Sequence, residues 1–456
     1  MNFLEMLGRK PRSSVADNTA AGASAQPVVA ATIAPVTVPE SKPTRYSALV
    51  LVADDFLHRQ LDDLFTSAGE DWSWERAATV VCARQLCEQK PFSIIVTEGH
   101  VSGESAVGLL NELHASRPGM LRYFYGTPPP AGELKQLLGL RPSVINTKNR
   151  REMILAQFER ELVVESWLAN QQTRQLIAKF RNLPSVPTIY NQVIAELESP
   201  TGSFDEVARL IAQDPLMTAK ILQVVNSAIF APSTPITRAE EAVLLLGTQR
   251  TQALVLAVPM FTKYESAACP GVAPDKIWQH SMEVAGFARA IAVRAGHTEL
   301  ADAAFTAGLL HDIGKLLLAA NLTKEYAEVH RHCEELAAPV FQVERQHLGT
   351  THAEAAACLF GMWGLPLPVL EAIAHHHQPL RSEHDTFTAL TAVHAANAFF
   401  YERRQPDVTL LDNAYVARLG LLDARNEWRL ACGLPARFEE ASLRDKIRLR
   451  QDARTN

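Results

Sequence analysis

Cysteine is scarce in this chain: Cys82, Cys87, Cys269, Cys333, Cys358 and Cys432 are spread over 456 positions without a CxxC pair. That scatter fits reduced packing thiols in a cytoplasmic protein and not a disulfide framework. Long apolar runs are missing as well. No stretch approaches the roughly 18 uninterrupted apolar residues of a spanning helix, and the opening MNFLEMLGRKPR places its charges after its apolar residues, the reverse of a signal peptide. Neither a membrane span nor a secreted form is expected. A basic excess is absent too: 44 Lys and Arg stand against 50 Asp and Glu, a formal charge of −6. No broad positive field is available to hold nucleic acid, so partners are expected among signalling proteins and small ligands. Finally, there is no aromatic residue between Phe3 and Tyr46 and no leucine between Leu7 and Leu49, while Pro11, Pro27, Pro35, Pro39 and Pro43 punctuate the stretch. Such a segment buries too little surface to offset its ordering entropy, and residues 1–44 are expected to be a disordered leader.

What is present is an ordinary globular composition, 47% apolar and 21% charged, arranged in two textures. From Tyr46 short apolar runs alternate with helical patterns. The expected strands are Ala48 to Val52, Trp72 to Arg76, Ser93 to Thr97, Leu121 to Tyr125 and a short one around Val144 and Ile145. The expected helices between them carry Leu57, Leu61, Leu64 and Phe65, then Val107, Leu110 and Leu113, then Leu134 and Leu138. This alternation over 45–150 predicts an α/β domain with a flavodoxin-like parallel sheet and its chemistry at the carboxyl ends of the strands. After Lys148 strand patterns cease. Leu155, Leu162, Ala169 and Leu176 recur every seven residues, predicting a connecting helix over 151–182 that either pairs with a second copy, giving a homodimer, or packs on its own domain. Pro184 and Pro187 end it. Residues 183–400 read as successive helices divided by turn signals, followed by a helical extension and a charged tail over 401–456.

Two groups of residues carry chemistry. Asp54 and Asp55 follow the first strand, Glu98 the third and Lys148 the fifth, and in a parallel doubly wound sheet those strand ends converge on a pocket able to hold Mg²⁺. The layout resembles the receiver domain of bacterial response regulators, in which an acidic pair binds Mg²⁺, an aspartate after the third strand accepts a phosphoryl group and a Lys-Pro follows the fifth strand. Here Glu98 replaces the phosphoacceptor, Gly126 or Thr127 stands where a hydroxyl is expected, and Asn149 replaces the proline. The extra methylene of Glu98 moves its carboxylate off an in-line attack, so a pseudo-receiver that docks proteins is expected.

The second group is histidine-rich: eleven of the fifteen histidines fall between His280 and His384. At its centre lies GLLHDIGK, where His311 and Asp312 are adjacent and Lys315 follows. An imidazole and a carboxylate side by side at a helix end can reach one divalent ion; alternatively His311 packs in the core and Asp312 pairs with Lys315 one turn on. The order of His280, His311, Asp312, His352, His376 and His377 resembles the HD superfamily of metal-dependent phosphohydrolases. That resemblance implies that these six residues hold a divalent ion (Mn, Fe, Mg or Zn), with Lys315 the candidate catalytic side chain. Asn397 stands where the superfamily's final aspartate is expected, and the Gly-Tyr-Pro of the cyclic-dinucleotide branch is missing after HHHQP.

The stretches LPSVPTIYNQVIAEL, IAQDPLMTAKILQVVNSAIF and PITRAEEAVLLLGTQRTQALVLA resemble, in order, the HDOD output domain, an all-α signalling module without established catalysis. The resemblance implies a bacterial signal-transduction regulator that acts through protein contacts. The alternative is a metal-dependent phosphohydrolase acting on a nucleotide or cyclic dinucleotide. Asn226, Ser227 and Lys220 are expected to serve helix-end hydrogen bonding and packing.

Overall fold

The computed structural model describes residues 46–117, 119–130, 133, 143–145, 150–178, 180, 187–199, 201–265, 271–406 and 408–437. The expected leader, the helix with Leu134 and Leu138, Lys148, Pro184, Cys269 and the charged tail lie outside the described residues.

The first unit alternates strand and helix: β1 (Tyr46–Leu51), α1 (Asp55–Ser67), β2 (Trp72–Ala77), α2 (Val80–Gln89), β3 (Ile94–Thr97), a small ribbon of β4 (His100–Val101) and β5 (Glu104–Ser105), α3 (Val107–Ser116), β6 (Leu121–Tyr125) and β7 (Ser143–Ile145). The sheet is parallel in the order β2-β1-β3-β6-β7, the doubly wound flavodoxin-like arrangement. β1 reads as an unbroken apolar run because both of its faces are covered. Leu49 and Leu51 face α2 and α3, while Ala48 and Val50 face α1, all with no exposed surface.

Two helices follow, α4 (Arg151–Ala169) and α5 (Gln171–Ala178). The single helix expected here is interrupted because the Asn170 backbone is extended and its Oδ1 accepts the Gln172 and Thr173 N–H groups, capping a new helix. α4 closes the aromatic face of the sheet. The buried Phe158 ring lies 4.5 Å from Tyr123, 5.9 Å from Trp72 and 6.1 Å from Phe65. Tyr123 donates to Glu161 at 2.9 Å and the Trp72 indole N–H to Glu159 at 3.3 Å. One to two turns further on, Val164 enters the core of the helical unit. Helix approach there is so close that a Cβ on Gly361 would lie 2.2 Å from Val164 Cγ2. One helix thus supplies core residues to both units.

The remainder is helical: α6 (Thr188–Glu198), α7 (Phe204–Ala212), α8 (Pro215–Val225), α9 (Ala239–Glu265), α10 (Pro274–Arg294), α11 (Ala301–Leu310), α12 (Ile313–Asn321), α13 (Thr323–Leu336), α14 (Val340–Leu348), α15 (His352–Met362), α16 (Leu367–His375), α17 (Ala389–Arg404), α18 (Asn413–Arg418) and α19 (Arg425–Ala431). Asp214 caps α8 with Pro215 in its first turn. At the other end Asn226 bonds Leu222 O, Ile236 O and Ile236 N–H, the helix-end role expected of it. Gly247, at φ 71° and ψ −179°, breaks α9 within its length. Tyr415, Val416 and Trp428 of the last helices join the same core as α10, α11 and α17. Two stretches, Ala239–Tyr264 and Thr298–Asn321, are long and apolar enough to cross a membrane, which the sequence pattern does not announce; 56% and 78% of their apolar windows are buried inside the protein.

Candidate metal centre

His311 ends α11 and Asp312 opens α12, so the chain turns between two helices at this dipeptide. Two glycines set its depth. A Cβ on Gly308 would lie 2.8 Å from Ala285 Cα, and one on Gly314 only 1.9 Å from the His352 carbonyl oxygen. Backbone contact at these points brings α11 against α10, which carries His280, and α12 against the start of α15, which carries His352. His376 and His377 follow α16.

All six residues expected from the sequence meet around Asp312. On one side of its carboxylate, His280 Nε2 lies 3.3 Å and His311 Nε2 3.6 Å from Oδ2, with the two Nε2 atoms 3.1 Å apart. On the other side, His352 Nε2 lies 3.2 Å and His376 Nε2 3.9 Å from Oδ1, and His377 Nε2 is 3.2 Å from His352 Nε2. Ligands of a single divalent ion stand roughly 3 to 3.6 Å from one another, given bonds of about 2.0–2.2 Å. Five of the six distances fall in that range, and His376 Nε2 to Oδ1 is longer at 3.9 Å. His311, His352, His376 and Asp312 are at most 2% exposed and His280 is 7% exposed.

The ring orientations are held from behind. His311 Nδ1 donates to Gly308 O at 2.7 Å, His376 Nδ1 to Ile373 O at 2.7 Å, and His352 Nδ1 to Glu344 Oε2 at 2.7 Å. Each of these bonds leaves the Nε2 lone pair turned toward Asp312. The sequence reading did not anticipate Glu344 or its partner. Glu344 is fully buried, accepts the His352 backbone N–H at 2.9 Å and receives the Tyr326 hydroxyl at 2.6 Å. The one signal available was its place on the apolar stripe of α14, four residues from both Val340 and Leu348.

Burial pushes His311 down to about 3, and His280, His376 and His377 below the ordinary histidine range; at His352 burial also opposes the charge, but Glu344 and Asp312 outweigh it and raise that imidazole above the ordinary range. For Asp312, burial opposes ionisation, but Lys315 and His311 outweigh it and keep the carboxyl well below its usual range. Lys315 Nζ donates to Oδ2 at 2.6 Å. The sequence allowed a weak exposed pair here; the carboxylate is in fact 2% exposed and the lysine side chain 18%. Asp312 Oδ1 and His376 Nε2 have no hydrogen-bond partner although both are buried. Unpartnered buried lone pairs are costly, and a cation between them removes the cost. The donor set therefore fits a divalent ion, and five imidazoles with one carboxylate suit zinc, iron or manganese better than magnesium.

The carboxylates at the strand ends are arranged differently. Asp54 Oδ1 accepts the Phe56 and Leu57 N–H groups as the cap of α1, at 2.7 and 3.0 Å. Asp55 is 82% exposed and paired with Arg76. Glu98 accepts the Ala53 N–H at 3.0 Å, fastening the β1–α1 turn. Among the described residues, the groups spaced to hold a cation do not include Asp54, Asp55 or Glu98, and one oxygen of each is engaged, by backbone N–H groups at Asp54 and Glu98 and by Arg76 at Asp55. Lys148 lies outside the described residues. His394 braces the centre: its Nδ1 donates to His376 O at 2.8 Å and its Nε2 accepts the Asp412 N–H at 2.9 Å.

An uncharacterised protein of Treponema pallidum (strain Nichols) is 26% identical over 214 residues, 45% of this chain and 40% of that protein. The chain thus spans less than half the length of this curated relative. A Geobacter sulfurreducens HDOD domain protein of unknown function is 24% identical, with a TM-score of 0.49, covering 59% of this chain and 93% of that one. A Shewanella amazonensis SB2B protein provisionally named a phosphohydrolase is 20% identical, with a TM-score of 0.45, covering 59% and 91%. The family model for the HDOD domain matches residues 183–379. Residues 183–379 of this chain are an HDOD domain.

Proposed function

We propose that this chain is a bacterial, cytoplasmic signalling regulator in which a degenerate receiver-like α/β domain is coupled through α4 to an HDOD output domain that acts by protein contacts. The carrying observation is α4 itself, which places Phe158 in the core of the sheet domain and Val164 in the core of the helical one. A displacement of the sheet domain has a rigid path to the output domain. The α/β domain acts as a docking module in this reading, because Asp54, Asp55 and Glu98 are engaged as a cap, an exposed ion pair and a turn clasp. The His/Asp centre holds a divalent metal that ties α10, α12, α15 and the end of α16 together.

A second reading has a specific observation behind it: the convergence of six ligand residues with Lys315 beside them. In a phosphohydrolase the bound metal would supply Lewis acidity toward a phosphate ester. Lys315, part-buried like His377, would meet the phosphoryl oxygens. Its nucleotide or cyclic-dinucleotide substrate would have to reach ligands that are almost wholly buried, which favours the regulator. Purified protein supplied with Mn²⁺ or Mg²⁺ and a panel of nucleotides and cyclic dinucleotides separates the two. The regulator reading expects no turnover above buffer; hydrolysis that disappears in His311→Ala would replace it with the enzyme.

A further inference from the structure

We infer that metal binds on one side only of the Asp312 carboxylate, at Oδ1 with His352, His376 and His377, and that the Lys315 ammonium stands in for a second cation on the Oδ2 side. This rests on the metal-holding role proposed above for the centre. Asp312 divides the cluster into a four-residue set through Oδ1 and a three-residue set of His280, His311 and Asp312 through Oδ2. The two sets are not equivalent.

On the Oδ2 side the carboxylate charge is already met by Lys315 at 2.6 Å. A divalent ion there would sit beside an ammonium held by its own helix turn, and the two cations would repel. Apart from Asp312, the charged groups acting on His280 are the cations Lys315 and Arg404. Asn397 lies on the α17 face that carries Phe400 and Tyr401, three and four residues on, whose rings are 4.2 and 5.6 Å from that of His280. Its amide is neutral, so it adds no charge to compensate a second ion.

The Oδ1 side has the opposite character. Oδ1 and His376 Nε2 are both buried, both lack a hydrogen-bond partner, and lie 3.9 Å apart. His352 is backed by the buried Glu344 carboxylate, which adds negative charge behind the ligand and fixes its ring. Four ligand atoms converge there within 4.8 Å of one another. That side has the ligand number of a closed site; the other has a lysine in its place.

The test is stoichiometry. Full-length protein stripped with a chelator, reloaded with Zn²⁺, desalted and subjected to elemental analysis should hold about one equivalent per chain. His280→Ala should keep that equivalent. His377→Ala should lose it, with affinity down at least about tenfold in competition with a chromophoric chelator. Lys315→Met frees Oδ2 and should raise the content to about two equivalents, with the Asn397 amide available to the second ion; since exposed Cys and His of unfolded chain also bind Zn²⁺, the gain counts only in protein that stays folded. Far-UV circular dichroism checks that each variant keeps its helices. Two equivalents in the unaltered chain, loss in His280→Ala with retention in His377→Ala, or an unchanged content in Lys315→Met would each overturn the inference while leaving the metal-holding role intact. Absence of Zn²⁺ from every variant would overturn both.

Discussion

Replacing Gly314 with alanine tests how the centre is assembled, because it adds one methyl at the point where α12 touches α15. The new Cβ would lie 1.9 Å from the His352 carbonyl oxygen, 2.6 Å from its carbon and 3.0 Å from its Cα. Ordinary contact begins near 3.4 Å, so the two backbones must separate by about 1.5 Å, and no side-chain rotamer can absorb the clash. Overpacking of this kind costs about 1–3 kcal/mol, against which alanine recovers up to ~1 kcal/mol of helix propensity. The net loss of stability is modest: a few degrees in melting temperature, at ~2–4 °C per kcal/mol for a domain of this size. The effect on the centre is larger. Ligand distances tolerate about 0.2 Å, and Asp312 and His352 ride on the two backbones being forced apart. Affinity for Zn²⁺ should fall at least about tenfold to a hundredfold. Gly108→Ala is the control, since a Cβ there meets nothing within 4 Å and the backbone is helical. Chelator competition and differential scanning calorimetry read the two quantities. Gly314→Ala binding Zn²⁺ within twofold of the unaltered protein would refute the account of how α12 and α15 position the ligands.

Phe158→Ala should remove about 3–5 kcal/mol from the α/β unit, read as an earlier change in the fluorescence of Trp72 and Trp74 during urea unfolding, while the HDOD unit unfolds later. Glu344→Gln leaves one acceptor short for Tyr326 and His352 and removes the charge behind the ligand; about 2–3 kcal/mol of stability and at least ~10-fold in Zn²⁺ affinity should be lost, by denaturation with chelator and by competition without it. His375 is pushed down to about 4 by burial, so between about 6.5 and 4 the unfolded chain binds the proton that the folded chain refuses. Its contribution is full above pH 6.5 and falls as pH drops, by roughly 3 kcal/mol across that window. Comparing urea midpoints of His375→Gln and the unaltered, metal-free protein at pH 5 and 7 isolates it, and equal slopes would count against a buried neutral His375.

The strands of the sheet and the residues of the His/Asp cluster were legible because they are local signals. A buried parallel strand is a run such as Ala48 to Val52, and HDIGK sets two candidate ligands on adjacent residues. What was not legible depends on competition or on distance. An aspartate before a helix caps it or binds a cation with the same side chain, and Asp54 is taken by the N–H groups of Phe56 and Leu57. Asn170 divides the expected connecting helix for the same reason, since its side chain bonds the backbone just ahead of it. Glu344 could not be assigned from α14 alone, because its partners His352 and Tyr326 lie on other helices. Its burial is a property of the assembled domain.

The sharing of α4 between two cores also bears on the order in which the chain folds as it leaves the ribosome. The five strands are complete by Ile145, yet the aromatic face made by Phe65, Trp72 and Tyr123 has no cover until Phe158 has been synthesised. Since domains form in order during synthesis, the first unit closes only when the opening turns of α4 emerge. Val164, a little further along the same helix, is then already fixed in space when the HDOD helices arrive. A truncation at residue 150 would leave that aromatic face bare and prone to self-association. A start at residue 183 would deprive Gly361 of the side chain it was shaped to meet.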